Sequence, residues 1–275
     1  MRLPWRVAIL AVLPVIAGWT QDQPPAAPAP PPIENNGKPM VVPFRCSMED
    51  IEWAGLSCSE EEPCPIYLEL GAIESVGSRI FAAGNIHSAA VTLYSALLSS
   101  EDAGKTWREP FERIRGSGLD HIQFLDPDTG WIGGQLLFPL AQDPFLLLTS
   151  DGGKSWRKRP VAGDSHYGSI QQFFFTAKNS GSLVIDKGPG SDGDRYELYE
   201  SPDAGETWII KEESTKPIRL KRAPVPSTEW RVRADGPSQA FHIEHRQGER
   251  WTRVASFAVK LSPCKPPQEA EKDPK

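Results

Sequence analysis

Three short stretches of the chain place ionisable side chains close enough together to do chemistry. In "GDSHYG", residues 163–168, Asp164 precedes His166 and Tyr167. That spacing lets a carboxylate orient an imidazole for proton transfer, with a phenol alongside. In "KGPGSDGDRY", residues 187–196, Lys187 and Arg195 flank Asp192 and Asp194. Two aspartates could supply part of the six to eight oxygens that a calcium ion takes. In "RIRGSG", Arg113 and Arg115 offer two guanidinium forks for an anionic group, and His87 in "GNIHS" adds an imidazole. Each stretch also has a plainer reading as solvated turn chemistry, because Asp, Ser and Gly bond to their own backbone in loops. The basic run "RLKRAP" at 219–224 likewise reads as a solvated loop in an acidic chain.

Metal chemistry has weaker support. His242 and His245 are three apart within a strand-like run, so they point to opposite faces and cannot share an ion there. The four cysteines, Cys46, Cys58, Cys64 and Cys264, contain no CxxC pair. They are even in number and permit three disulfide pairings; Cys58–Cys64 with Cys46–Cys264 is favoured, since the second pair brackets the folded region. We expect no metal and no cofactor.

The elements that would position these groups come from a repeat. "SSEDAGKTW" sets Ser100, Asp102, Gly104, Thr106 and Trp107 at fixed offsets. "TSDGGKSW" does the same with Thr149, Asp151, Gly153, Ser155 and Trp156, and "SPDAGETW" with Ser201, Asp203, Gly205, Thr207 and Trp208. The aspartates are 49 and 52 residues apart. A fourth, eroded copy, "EHRQGERW", keeps Gly248 and Trp251 but has Arg246 where the acid should be. Physically, the glycine supplies a positive φ, the aspartate accepts from turn N–H groups and a hydroxyl, and the tryptophan fills space between neighbouring sheets.

Around each copy lie short alternating runs bounded by turn residues. In the second block they fall at 121–125, 131–135, 145–149 and 156–161; no segment shows a sustained helical period. Four short strands every 40 to 50 residues predict an all-β chain, a β-propeller of four-stranded antiparallel blades, four or five in number. Closing the ring is expected to use "VVPFRC" beside the last strand, stapled by Cys46–Cys264, in a monomer.

The repeat resembles the Asp-box, or BNR, repeat of sialidases, sortilin-type receptors and the photosystem II assembly/stability factor propellers. The stretch "IQFLDPDTGWIGG…LLTSDGGKSW" is most similar to the last group, and the resemblance covers roughly residues 64–258. It implies a propeller that works as a binding or assembly scaffold. A sialidase-like exo-glycosidase is the alternative. That activity needs an arginine cluster, a tyrosine nucleophile helped by a glutamate, and an acid. Only Arg45 in "PFRC" matches the family's N-terminal arginine motif; Cys46 follows it where the motif has isoleucine.

The termini complete the expectation. Arg2, Arg6 and the apolar run from Val7 read as a secretory signal over residues 1–17, with no membrane span once it is removed. Residues 18–40 read as a Pro-rich spacer, 41–264 as the propeller and 265–275 as a polar tail. Such a chain is secreted or held in the cell envelope. With 36 acidic against 30 basic residues, a nucleic-acid partner is excluded, which leaves a protein or glycan. The loops away from the repeated turns, bearing His87, Arg113, Arg115, Asp164, His166, Tyr167, Lys187, Asp192, Asp194 and Arg195, form the expected binding face.

Overall fold

Short β-branched and aromatic runs, punctuated by glycine turns, form four antiparallel sheets of three or four strands and one two-stranded pair in the computed structural model, which describes residues 30–190, 193–220 and 229–266. A two-residue strand, β1 (Ile33–Glu34), comes first. The first sheet has β2 (Tyr67–Val76), β3 (Arg79–His87) and β4 (Thr92–Ser100), followed by the short β5 (Thr106–Trp107). The chain after β5 runs back along β4, with Arg108 and Ser99 exchanging backbone hydrogen bonds at 2.9 and 2.8 Å. The second sheet is β6 (Ser117–Phe124), β7 (Gly130–Leu136), β8 (Gln142–Thr149) and β9 (Arg157–Pro160) in sequential order. The third is β10 (Ser169–Ala177), β11 (Ser180–Asp186), β12 (Tyr196–Ser201) and β13 (Ile209–Ser214). The fourth is β14 (Trp230–Asp235), β15 (Ala240–Gln247) and β16 (Arg250–Ala258).

The sheets are buried by packing on one another, which is the construction of a β-propeller. One apolar cluster joins the fourth sheet to the first through Phe257, Ile243, Leu68 and Trp107. A second joins the first to the second through Phe81, Leu97, Phe145 and Trp156, and a third joins the second to the third through Trp131, Leu146, Phe175 and Tyr199. The pairing of first and second strands carries a bulge in each of the first three sheets, at Leu70/Ala72, Leu119/His121 and Ile170/Gln172. At Gly84, opposite the first bulge, a Cβ would collide with the Glu69 carbonyl, so the close backbone approach demands glycine.

Antiparallel order sorts the loops into two sets. The three aspartate turns stand at one end, beside the turns that join first to second strands: Ala103 N–H donates to Ser78 O at 3.0 Å and Gly152 N–H to Asp128 O at 2.8 Å. Loops 88–91 and 137–141 and residues 187–190 and 193–195 stand at the other end, with the sheet-to-sheet connections 108–116 and 161–168.

Several expectations need correction. The spacer does not reach residue 40: β1 pairs with β5, the Asn35 side chain donates to Gly104 O and Val254 O, both at 2.8 Å, and Met40 pairs in parallel with Phe257 on the edge of the fourth sheet. A helix also exists, α1 (Met48–Ala54), begun by a Ser47–Asp50 capping box and ended by Gly55 at φ 60°. The S-x-x-D…G pattern announces it, but seven residues are too few to show a period. Among the described residues no apolar cluster joins the third sheet to the fourth; residues 221–228, which connect them in sequence, lie outside the described residues. The expected strand from "VVPFRC" is not formed: the N-terminal segment meets the last strand only through an isolated bridge at Met40, whereas the Cys46–Cys264 bond is present as expected. Residues 1–29, the signal among them, and 267–275 lie outside the described residues, as does Asp192.

Candidate functional site

The three aspartate turns are self-contained. Asp102 accepts from the Ser100 hydroxyl at 2.8 Å, from the Lys105 and Thr106 N–H groups at 3.0 and 2.9 Å, and from the Thr106 hydroxyl at 2.8 Å. Asp151 repeats this with Thr149 and Ser155, and Asp203 with Ser201 and Thr207. Although burial works the other way, these bonds hold Asp102 and Asp151 at a pKa of about 2. The indoles of Trp107 and Trp156 donate to the carbonyls of Gly104 and Gly153, each at 3.1 Å. Trp208 packs on Phe175 in the third copy, but its buried N–H has no partner. Both oxygens of each of the three carboxylates accept bonds from within their own turn, so these groups are committed to holding the turns. The eroded fourth copy is a tight hairpin, Gln247 opposite Arg250, in which Trp251 lies under the Arg231 guanidinium at 4.1 Å.

At the opposite end, the candidate residues divide. Arg113 is spent on Glu109 at 2.7–2.8 Å and on the Pro43 carbonyl at 2.6 Å. Arg115 holds Glu49 at 2.5 Å and reaches Asp50 and Tyr94 at 3.4 Å, pinning α1 to the first sheet. Asp50 and Tyr94 are themselves hydrogen-bonded. His87 closes its own loop by bonding the Ser88 carbonyl at 2.7 Å and stacks near Tyr67. Arg45 is exposed in a separate cleft beside Cys46. Asp164 is exposed and makes no bond to His166. None of these joins a common site.

The rest converge. Loops 137–141 and 161–168, with residues 187–190 and Arg195, frame a cleft of about 830 Å³ lined by Leu140, Tyr167, Lys187, Pro189, Gly190 and Arg195. Tyr167 is 61% exposed and Leu140 64%, an aromatic and an aliphatic side chain offered to solvent. The loops are tied to each other: Asp143 N–H donates to His166 O at 2.7 Å, and Gly168 N–H to Ala141 O at 2.9 Å. Arg195 grips Asp186 bidentately at 2.6 and 2.7 Å, and this bond holds the Asp186 carboxyl below the usual carboxylate range.

Under the cleft lies a group that sequence reasoning missed. Glu197, 4% exposed, receives Lys187 Nζ at 2.7 Å, His166 Nε2 at 2.7 Å and the Tyr199 hydroxyl at 2.9 Å. Burial alone would raise its pKa, but these three donors together hold it below the ordinary glutamate value. For Tyr199 the direction is the reverse, since burial and the glutamate beside it both push the phenol up. The signal was available in "YELYES": Ser201 faces inward with its aspartate turn, and alternation then turns Tyr199 and Glu197 the same way.

A Tyr–Glu pair is what a sialidase-type nucleophile requires; here the tyrosine is buried, its hydroxyl donates to Glu197, and its pKa is pushed up. The single arginine at the cleft, Arg195, is already matched by Asp186. Among the described residues no group of three His, Cys, Asp or Glu converges as metal ligands do. The two disulfides, Cys46–Cys264 and Cys58–Cys64, suit an oxidising compartment, and no described helix is long and apolar enough to cross a membrane.

Four packed sheets with tryptophan-anchored turns define the chain as a β-propeller, whose particular relatives are distant. No family model and no curated protein matches it. Among solved structures it is similar to YCF48 bound to a D1 peptide, with 18% identity over 70% of this chain and 56% of that one, at a TM-score of 0.41. It is also similar to the GH74 xyloglucanase from Xanthomonas campestris, with 16% identity over 68% of this chain and 30% of that one, at a TM-score of 0.33. The chain thus spans little more than half of the first structure and under a third of the second. Neither likeness is close enough to carry a function across.

Proposed function

We propose that the protein is an exported, non-catalytic Asp-box propeller that binds a protein partner at the cleft framed by loops 137–141 and 161–168 with residues 187–190 and Arg195. One observation carries this reading: Tyr167 and Leu140 are exposed on the rim of a cleft whose charged groups are already bonded to one another. An exposed aromatic beside an aliphatic and a rigid polar floor is the composition of a binding anchor. It lacks the unpaired acid and base that catalysis needs.

Tyr167→Ala together with Leu140→Ser should abolish capture of a partner from envelope extract while leaving the melting temperature unchanged. Arg113→Ala, on the other hand, should alter stability without altering a matched binding signal. Hydrolysis of a fluorogenic sialoside that is lost in Tyr199→Phe would overturn the proposal. A glycan partner would show instead as Tyr167-dependent retention on an immobilised polysaccharide.

A further inference from the structure

The two disulfides are neighbours. Cys64 and Cys264 stand directly opposite each other as an isolated antiparallel bridge, and each N–H donates to the other's carbonyl at 2.9 Å. Residues paired in this way have Cα atoms about 5.5 Å apart and side chains on the same side of the ladder. Cys64 is bonded to Cys58 with their Cα atoms 5.2 Å apart, and Cys264 to Cys46 with theirs 5.0 Å apart. The four cysteines therefore form a row in the order 58, 64, 264, 46. Its middle step also falls within the Cα separation of about 4.4–6.8 Å that a disulfide bridges.

The two ends of the row differ in charge. Cys46 is half-buried and lines a cleft of about 510 Å³ together with Arg45, Met48, Pro263 and Lys265. Arg45 and Lys265 are exposed, and among the described residues neither is in an ion pair. At the other end, Cys58 and Cys64 close a short loop that holds Glu60, Glu61 and Glu62, all exposed. Cys264, between them, is fully buried. A disulfide is opened by a thiolate, so the acidic loop repels the attacking group and the basic cleft attracts it. Access and charge both select the Cys46 sulfur.

We propose that Cys46 is a modification site for a low-molecular-weight thiol bearing a carboxylate, and that Cys264 and Cys64 relay the exchange to Cys58. The incoming thiolate attacks Cys46 Sγ and forms a mixed disulfide there, while the bond to Cys264 breaks and its electron pair leaves on Cys264 Sγ. The Cys264 thiolate then attacks Cys64 Sγ, forms a Cys64–Cys264 bond and expels the Cys58 thiolate. Cys58 takes up the proton that the incoming thiol released. No net oxidation or reduction occurs: two protein disulfides and one thiol become one protein disulfide, one mixed disulfide and one thiol. Left beside Cys46, the Cys264 thiolate would reverse the first step; the relay removes it. The new bond still closes a loop around the whole propeller, so most of the chain restraint survives. What is lost is the covalent tie that holds Met40 and α1 to the end of the chain.

The test is disulfide mapping of the full chain after incubation at neutral pH with about 5 mM glutathione, an acid quench and alkylation. The peptides should show glutathione on Cys46, the alkyl group on Cys58 and a Cys64–Cys264 link. Cysteamine, which carries an amine and no carboxylate, should modify Cys46 at least about threefold more slowly at equal thiolate concentration. Arg45→Glu with Lys265→Glu should abolish that preference without changing the melting temperature, since both side chains are exposed. If that pair melts lower, Arg45→Gln alone replaces it and should still slow the glutathione reaction. Cys58→Ser with Cys64→Ser removes the relay, so the yield of Cys46 adduct should fall at least about threefold as Cys264 reverses the attack. Glutathione appearing on Cys58 or Cys64 ahead of Cys46 overturns the proposal. So does an adduct without the Cys64–Cys264 link, or a chain whose disulfides stay unchanged in glutathione.

Discussion

The Trp131 indole lies flat against the Phe175 ring, centroids 3.7 Å apart and planes 3° from parallel, across the boundary between the second and third sheets. Trp131 also donates to the Ala204 carbonyl at 2.7 Å, so one side chain fastens a sheet, its neighbour and the third aspartate turn. Trp131→Ala empties a fully buried site and orphans that carbonyl. Losses for such truncations run to about 3–5 kcal/mol. Urea unfolding should show a lower midpoint with an unchanged slope; a loss below about 1 kcal/mol would mean that the boundary does not depend on this contact.

The aspartate turns predict an acid limit to stability. In the folded chain Asp102 and Asp151 titrate at about 2, below the 3.8 of a free aspartate. A depressed folded pKa contributes stability that is fully present above the unfolded value and lost as pH falls toward the folded one. Melting temperature should therefore drop between about pH 4 and pH 2, and the drop should flatten in the Asp102→Asn, Asp151→Asn double variant. That variant should be less stable than wild type at pH 7 and approach it near pH 2. Parallel curves would show that other carboxylates set the acid limit.

These turns were legible in the sequence for a physical reason: all their bonds close within eight residues, so the pattern that makes them is local. The strands of the fourth sheet could be read from alternation for the same reason. What could not be read depends on distant partners. Arg115 reads as a free cation in "RIRGSG" because Glu49, 66 positions away, is invisible from there. The partner of Arg113 is nearer: Glu109 is four residues upstream. β1 sits in a proline-rich run whose composition argues against structure, and only the edge offered by β5 makes it a strand.

The two disulfides should differ in worth. Cys46 and Cys264 are 218 positions apart, whereas Cys58 and Cys64 are separated by six. In the chain-entropy account the long loop stabilises by about 5 kcal/mol and the short one by about 2. Cys46→Ser with Cys264→Ser should lower the denaturation midpoint at least twice as far as Cys58→Ser with Cys64→Ser. Equal shifts would mean that the N-terminal segment stays docked through Met40 and α1 without its covalent tie.

The buried Glu197 gives the sharpest separation between holding and reacting. Glu197→Ala leaves Lys187, His166 and the Tyr199 hydroxyl without their acceptor, and removing one partner of a buried charge pair costs about 3–5 kcal/mol. Glu197→Gln keeps the shape and one acceptor oxygen but removes the charge, so its loss should be smaller. The sign with pH follows from the depressed folded pKa. The charge stabilises above the ordinary glutamate value of 4.5 and ceases to do so as pH falls through the lower folded value. The gap in unfolding free energy between wild type and Glu197→Gln should thus be widest at neutral pH and close in acid. Partner capture through Tyr167 should weaken in Glu197→Ala, since His166 anchors the loop that presents the tyrosine, and survive in Glu197→Gln, whose oxygen can still accept from it. Capture lost equally in both variants would mean that the charge itself touches the ligand, and the cleft would then have to be treated as chemically active.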